Sequence, residues 1–528
     1  MNELFLANEE CKKSRGERAS ERRSAAGVVL RVESHVISSS HPFFTECDRV
    51  CFASKNLYNA INYFIRQEYF EIRDENNRLY EEWQSTCAKI KSQNKDIKAQ
   101  NKTLSKENKI PLLPLPKKPK FNKQYTRQNL STLYSHVSKN LPEYRELPGN
   151  PADRVIKQVL QDWRSYWASI KDYRKNPEKY NGGPRPPHYY DKVVGRCEVT
   201  YFRDRVSKKQ WKEKHLAIPS QTEISLLTKV DYQDLVEVKI VPVNRLKYKI
   251  QIAYEKKLKL NPELDYSLTA SNDLGCINVI TLTSDKFGFK PIIVNGRRLC
   301  YINAKANKLK ACLQSALPNG VYTSKAILQC LNKREQRINN EMHHISKYVV
   351  DVLVENRIGN LIIGYNEGWK GGLSLGKITN QKFMFIPFKK LLAMITYKCQ
   401  QVGINVILQE ESYTSKASFL DCDFIPTYEE GNPARYTFSG RRIKRGLYQR
   451  TTVNGRGSRL NADVQGSYNI LRKSKQNTSS AMTIDCVGAV GVHPVKVDVV
   501  KVYNRVNYKM NKSHRTALTK TCNKDKMS

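Results

Sequence analysis

The chain has 528 residues, with 90 Lys and Arg against 50 Asp and Glu, a formal net charge of +40. Such an excess repels itself in a compact fold unless a polyanion neutralises it, which points to nucleic acid. It points away from a membrane surface, because the charge runs along the whole chain rather than in one juxtamembrane cluster. A ribosome-like or chromatin-like basic protein would be shorter and more disordered. No apolar run reaches the roughly 18 residues of a membrane span. The short apolar stretch Leu4 to Ala7, followed by a charged segment, is not a signal peptide. Thirteen cysteines, scattered singly and odd in number, fit free thiols better than a disulfide framework. The expected location is therefore cytoplasmic, nucleoid-associated in a bacterium.

Residues 1–25 are polar and basic and are read as disordered. Val28 to Val36 alternates weakly, as a first strand would. Val50 to Phe70 carries Ala53, Leu57, Ile61 and Phe64 at helical spacing. A Lys-rich stretch, Lys89 to Lys109, reads as a solvated helix face or hairpin tip and ends at a Pro-rich break, Pro111 to Pro116. Ala152 to Arg174 is a second helix with the apolar stripe Val155, Val159, Leu160, Trp163, Trp167 and Ile170. Its other faces carry Arg154, Lys157, Arg164, Lys171 and Arg174 as candidate phosphate contacts. Trp163 and Trp167 are better explained as core than as base-stacking platforms. Gly182 to His188 is a loop rich in Gly and Pro.

From Cys197 to Glu255 the period changes to two, with strands at Val236 to Val241 and Tyr248 to Tyr254. These strands, the first strand and the helices between them suggest a small β-barrel with an inserted helical lobe. From about residue 267 strands and helices alternate: strands at Val279 to Thr283, Lys290 to Val294, Asn360 to Tyr365 and Gly403 to Leu408, and helices through Ile338 to Leu353 and Phe388 to Cys399. That order argues for an α/β layer with a partly parallel sheet. The last stretch holds one β-prone piece, Val495 to Val502, and a polar tail.

Three acids stand out within this layer. Asp273 precedes the strand Val279 to Thr283, Glu367 follows the strand Asn360 to Tyr365, and Asp463 opens a helical pattern of Val464, Tyr468 and Leu471. Ligands of open α/β sheets gather at the carboxyl ends of strands, so these carboxylates could meet at one edge. Two hard divalent ions held there about 4 Å apart would grip the attacking and leaving oxygens of a phosphodiester. Singly, each acid also has a structural reading: a turn residue, a loop acid, and a helix N-terminal charge capped by Asn461.

Four stretches resemble the RuvC-type nuclease core of the TnpB family, the transposon-encoded RNA-guided nucleases related to compact type V CRISPR effectors. They are Asp273-Leu-Gly; Asn340 to Val350 running on to Ile362-Ile-Gly-Tyr-Asn-Glu367-Gly-Trp-Lys370; Tyr413-Thr-Ser415; and Asn461-Ala-Asp463 to Ile470. The match covers roughly residues 265–475. The resemblance implies Asp273, Glu367 and Asp463 as catalytic acids. Their metal would be Mg²⁺ in a two-metal site, with Mn²⁺ as a substitute. It implies nucleic-acid contacts at Trp369, Lys370, Arg441, Arg442 and Arg445. It further implies an α/β RNase H-like (RuvC) domain at 266–475, with an insert at 412–460, preceded by a wedge β-barrel (26–50 and 191–265). A helical recognition lobe at 51–190 would be inserted in that barrel, and 476–528 would be a tail.

The implied function is an RNA-guided DNA endonuclease whose partners are a guide RNA and target DNA carrying a short flanking motif. An RNA-guided binder that does not cut, and a guide-independent nuclease of the same core, are the alternatives. Oligomeric state is left open. The sequence departs from the family in two places. The interval Ser415 to Asp463 has Cys422 as its one cysteine and no His, so no zinc ribbon is expected there. The lead-in Thr269-Ala-Ser-Asn272 is polar where an apolar strand is usual.

Overall fold

A computed structural model of the chain describes residues 23, 27–104, 108–119, 130–213, 215–217, 223–225, 228–366, 386–427, 436–444, 446–450, 458–475 and 493–503. The chain forms two units, Leu30–Lys256 and Met1–Val29 with Lys257–Ser528.

In the first unit a four-stranded sheet has the order β1-β6-β5-β2, from β1 (Val28–Ser38), β2 (Val199–Phe202), β5 (Leu235–Asn244) and β6 (Lys247–Lys257). Between β2 and β5 a small hairpin pairs β3 (His215–Ala217) with β4 (Glu223–Ser225). Among the described residues the larger sheet ends on β1 and β2 and is not closed into the expected barrel. Among the described residues three α-helices lie between β1 and β2 in sequence: α1 (Phe44–Gln100), α2 (Leu130–Asn140) and α3 (Gly149–Tyr173).

Helix α1 is 57 residues long and runs far beyond the predicted end at Phe70. Its first half buries Val50, Leu57, Ile61 and Ile65 against Val155, Ile156, Val159 and Trp163 of α3. Its second half is built from Lys, Glu and Gln, good helix formers that need no core. The Pro-rich segment runs back along that half. Asn94 exchanges two hydrogen bonds with Leu113 and Asn101 two with Ile110, while the Trp83 indole donates to the carbonyl of Pro116. Side-chain amides thus serve a backbone that cannot enter a ladder.

The second unit is organised on a six-stranded sheet of order β11-β10-β7-β8-β9-β15. The strands are β7 (Asp265–Asp273), β8 (Asn278–Ser284), β9 (Ile292–Asn295), β10 (Ile358–Gly364), β11 (Asn405–Gln409) and β15 (Val495–Val497). Strands β7, β8 and β9 form an antiparallel meander, whereas β10 runs parallel to both β7 and β11. Strand β15 extends the sheet parallel to β9, so the stretch read as a tail supplies an edge strand.

Helices α4 (Arg297–Ser315), α5 (Lys325–Glu355) and α6 (Phe388–Val402) follow the meander and β10 in sequence, α7 (Ala462–Lys475) follows the insert, and residues 499–503 are helical again after β15. Alternation along β10 sorts the two faces. Leu361 and Ile363 join the core with Met342, Val349 and Leu391 of α5 and α6, whereas Ile362 packs with Val464, Tyr468 and Leu471 of α7.

The polar lead-in of β7 is explained by the same helix. Ser271 Oγ, Thr283 Oγ1 and Ser467 Oγ, all buried, bond to one another, and Ser467 Oγ also reaches the carbonyls of Ser271 and Thr281. Small hydroxyl residues let α7 lie close on the strands. The insert forms a three-stranded antiparallel sheet of β12 (Gly440–Lys444), β13 (Leu447–Arg450) and β14 (Arg459–Asn461).

Candidate active site

Three parallel strands end together. Ile363 of β10 lies opposite Asn272 of β7, and Gly364 lies opposite Gln409 of β11. Asp273 is therefore the last residue of β7 at this edge, and Glu410 and Glu411 follow directly from β11. Helix α7 starts at the same edge. Its Asn461 cap accepts from the backbone N–H groups of Asp463 and Val464 at 3.0 and 3.2 Å. The cap predicted for Asn461 is present, and it fixes Asp463 in the first turn of the helix.

The geometry brings Asp463 to Asp273. Gly466, one turn into α7, faces the Asp273 carboxylate so closely that a Cβ would stand 2.9 Å from Oδ2. Asp463 Oδ2 accepts from the Asn278 amide at 2.5 Å, and its Oδ1 lies 3.5 Å from the Arg442 guanidinium. Burial pushes the Asp273 carboxyl up to about 8, with the nearby carboxylates of Glu411 and Asp463 adding to the rise and Arg442 opposing it.

Glu411 was not singled out by the sequence, yet it stands in this site. Gly364 leaves room for it: a Cβ there would meet Glu411 Oε2 at 2.8 Å. Burial and then the Glu410 carboxylate raise the Glu411 carboxyl to about 7, while Lys473 opposes them. Neighbouring Glu410 behaves oppositely. Burial works against its charge, but bonds from Lys473 and Ser412 hold it below the ordinary glutamate value.

The turn that carries Glu411 is gripped by α7. Asn469 Nδ2 donates to the carbonyls of Thr414 and Ala417 at 2.8 and 2.6 Å, Gln465 donates to Ala417 as well, and Lys473 binds the carbonyl of Ser412. Tyr413 takes a left-handed φ of 65° within it. The motif Tyr413-Thr-Ser415 is thus the tight turn after β11, and Asn469 holds it. Two consecutive acids at the end of a predicted strand, beside that motif, were the available signal.

Glu367, Trp369, Lys370 and Arg445 lie outside the described residues. Among the described residues no three His, Cys, Asp or Glu side chains stand together as a ready-made metal cage. The donor chemistry nevertheless fits a hard divalent ion, because Asp273 and Glu411 are carboxyls whose charge is disfavoured by burial and by neighbouring carboxylates, Glu411 and Asp463 for the first and Glu410 for the second, until a cation is near.

Of the other predicted contacts, Arg441 and Arg442 lie on the exposed strand β12. Lys157, Arg164, Lys171 and Arg174 are exposed on α3, and Arg154 sits half-buried over the Phe202 ring. Trp163 is buried and Trp167 packs partly buried against the core of the first unit, as expected.

Residues 388–470, from α6 through the Glu411 turn and β12 to α7, match the family model described as Cas12f1-like, TNB domain. A CRISPR-associated endodeoxyribonuclease Cas12f2 from Micrarchaeota archaeon (strain CG1_02_47_40) is 25% identical over 248 residues, 46% of this chain. The resemblance to compact type V effectors holds. The aligned stretch spans 42% of that relative's own length. Among solved structures, a Cas12f1-sgRNA-target DNA complex aligns over 84% of this chain and 99% of that chain, at 10% identity and a TM-score of 0.38. A CRISPR-Cas12f ternary complex aligns over 87% and 85%, at 11% identity and a TM-score of 0.29. At these scores neither establishes a shared fold.

Proposed function

We propose that this chain is an RNA-guided DNA endonuclease that hydrolyses phosphodiester bonds in a RuvC-type site. The observation that carries this reading is the pairing of Asp273 with Asp463 at the carboxyl ends of parallel strands, with Glu411 beside them, in a chain of net charge +40. The strand order β9-β8-β7-β10-β11, with an antiparallel meander leading into parallel strands, is the order an RNase H-like core implies.

Asp273, Asp463 and a second acid would hold Mg²⁺ or Mn²⁺. The second acid is Glu411 on the described geometry, beside the sequence-based candidate Glu367. When bound, the metal supplies the positive charge that activates a water and stabilises the leaving oxygen. The chain's residues do the rest. Asn278 fixes the rotamer of Asp463, Gly466 and Gly364 make room for Asp273 and Glu411, and the grip of α7 on the 411–417 turn keeps the acids in register. Arg442 offers a cation beside Asp463 where a phosphate would enter. The exposed cations of α3 supply phosphate contacts that position a nucleic acid without reading its sequence. A guide RNA reads the target, and the protein reads a short flanking motif.

The test is cleavage of matched and scrambled plasmids in moderate salt, with and without the RNA that copurifies with the protein. Cutting that needs Mg²⁺, the RNA and the match is expected. Equal cutting of all plasmids without RNA would leave a general nuclease, and matched binding without cutting would leave an RNA-guided binder.

A further inference from the structure

The loop expected at Gly182 to His188, together with the residues that follow it to Arg196, is built into the first unit as a strap on α1. Side chains spaced along one face of that helix each take a strap carbonyl. Lys55 Nζ donates to Lys192 O at 2.7 Å, Asn59 to Tyr190 O at 2.9 Å, Asn62 to Pro187 O at 3.0 Å, and Arg66 to Pro187 O at 2.7 Å. Asn59 also accepts from the Tyr190 N–H at 2.9 Å. Lys55 and Asn62 are almost fully buried, a position polar groups occupy only when satisfied. The strap is therefore held in one conformation.

Between this strap and α3 runs a shallow groove of about 460 Å³, within the roughly 300–1,000 Å³ of ligand clefts. Its two walls differ in chemistry. On α3, Asp162, Ser165 and Ser169 share one face. Asp162 already accepts from Tyr58 Oη at 2.6 Å and from Gln158 at 2.8 Å. Ser165 Oγ and Ser169 Oγ donate to the carbonyls of Gln161 and Ser165 at 3.0 and 2.9 Å. With their protons committed, the two hydroxyls have only lone pairs to offer, as does the carboxylate. This wall is a row of acceptors. The strap wall presents Arg185, His188, Tyr189 and Tyr190, all exposed. The Tyr189 ring carries the Arg66 guanidinium 5.1 Å from its centroid, and the Tyr190 ring is set edge-on to Tyr58 at 4.9 Å.

We propose that this groove binds an unpaired stretch of RNA. A cation and exposed rings on one wall suit a phosphate and stacked bases. An acceptor row on the other suits donors, and the 2′-hydroxyl is the donor that each RNA residue has and each DNA residue lacks. A DNA strand would leave the acceptor row without its hydroxyl partners. That the RNA is the guide rests on the reading above; the groove's preference for a ribose strand does not.

Full-length protein freed of copurified RNA is cross-linked to short single-stranded RNA substituted with thiouridine, and the cross-linked peptides are mapped. Cross-links are expected within residues 185–190 and 162–169 of the sequence, competed by unlabelled RNA better than by DNA of the same sequence. Tyr189→Ala should cut the yield there by about 5-fold or more through loss of a base stack, Arg185→Ala should also lower it, and Asp162→Asn should narrow the preference for RNA over DNA. Arg185 and Tyr189 are exposed, and the wild-type map needs no variant. Cross-links elsewhere on the chain but absent from this groove would overturn the inference and leave the guide-RNA reading standing. Equal competition by DNA would overturn it too. No RNA cross-link anywhere would overturn both.

Discussion

Gly466 leaves the space that the Asp273 carboxylate fills, with Oδ2 lying 2.9 Å from where a Cβ would be. A glycine inside a helix costs about 1 kcal/mol relative to alanine, so this one is retained against local preference. Gly466→Ala should therefore separate stability from chemistry. The midpoint of thermal unfolding is expected to stay level or rise. DNA cleavage should fall by about 100-fold, the scale of a displacement near 1 Å in a positioned group. A variant that cuts at the wild-type rate would show that Asp273 does not need this position.

The second acid can be assigned by a pair of variants. Glu411→Gln keeps the size of the side chain and removes the charge that Asp273 feels. It is expected to lower Mg²⁺-dependent cleavage by at least about 100-fold while matched-target binding, read by gel shift, is kept. Glu367→Gln tests the candidate that the sequence motif supplied. Normal cutting by Glu411→Gln together with a dead Glu367→Gln would return the role to Glu367.

Much of the second unit was legible because its elements carry clear periods. Ile338, Met342, Ile345, Val349 and Leu353 mark α5, and the apolar run 360–365 lies within or just beyond β10. Asp273 and Asp463 were legible because the strand-and-helix order sets the first at a sheet edge and brings the second there on a helix, although the acid expected beside Asp273 on that edge was Glu367, which lies outside the described residues. Glu411 was passed over although two consecutive acids follow the predicted strand Gly403 to Leu408, because their nearness to Asp273 depends on β11 lying next to β10 in the sheet, a long-range pairing that the local sequence does not show. The polar strand β7 read as a departure because its partners, Thr283 and Ser467, are distant in sequence. The outer half of α1 was underestimated for the opposite reason: it has good local propensity and almost no apolar stripe to announce it.

Arg442 lies 3.5 Å from Asp463 on a strand whose other residues are mostly exposed. An ion pair this open to solvent adds little to stability, so Arg442→Ala should unfold at nearly the wild-type temperature. Its cleavage rate on bound target should drop by about 10-fold or more, with Arg442→Lys recovering part of the loss, since lysine keeps the charge but not the planar fork. Single-turnover cleavage after saturation with target makes the comparison. A loss of binding with an unchanged rate would mean that Arg442 contacts nucleic acid away from the scissile bond.

The insert 412–460 is expected to hold without zinc. Asp423 accepts from the Ser418 N–H at 2.7 Å and from the Ser439 N–H and hydroxyl at 2.9 and 2.7 Å. Arg450 pairs with Asp421, and Phe419 stacks on Tyr468 with ring centroids 4.5 Å apart. Asp423→Ala should destabilise this segment by about 2 kcal/mol, seen as faster proteolysis between β11 and β14. A chelator should leave the wild-type pattern unchanged. One tightly held zinc per chain by metal analysis would contradict this account.

A final prediction concerns Lys398, which joins α6 to α5. Its ammonium donates to the His343 carbonyl at 2.8 Å and to Ser346 Oγ at 2.7 Å. Burial and then the nearby Lys347 charge push it down from the ordinary 10.5 to about 8, with Asp351 opposing them. The sign follows from proton counting. Between about 8 and 10.5 the unfolded chain keeps this proton and the folded chain gives it up, so the Lys398 contribution to stability rises with pH across that window. Below it both states are protonated, and the folded state carries the full penalty of a half-buried charge. Lys398→Met cannot titrate and should be the more stable protein at neutral pH. Its advantage in unfolding midpoint over wild type should shrink as pH climbs through the window. The comparison uses the difference between the two proteins, so the tyrosines that titrate in the same range cancel. A difference that stays constant from neutral to alkaline pH would show that Lys398 titrates at its ordinary value.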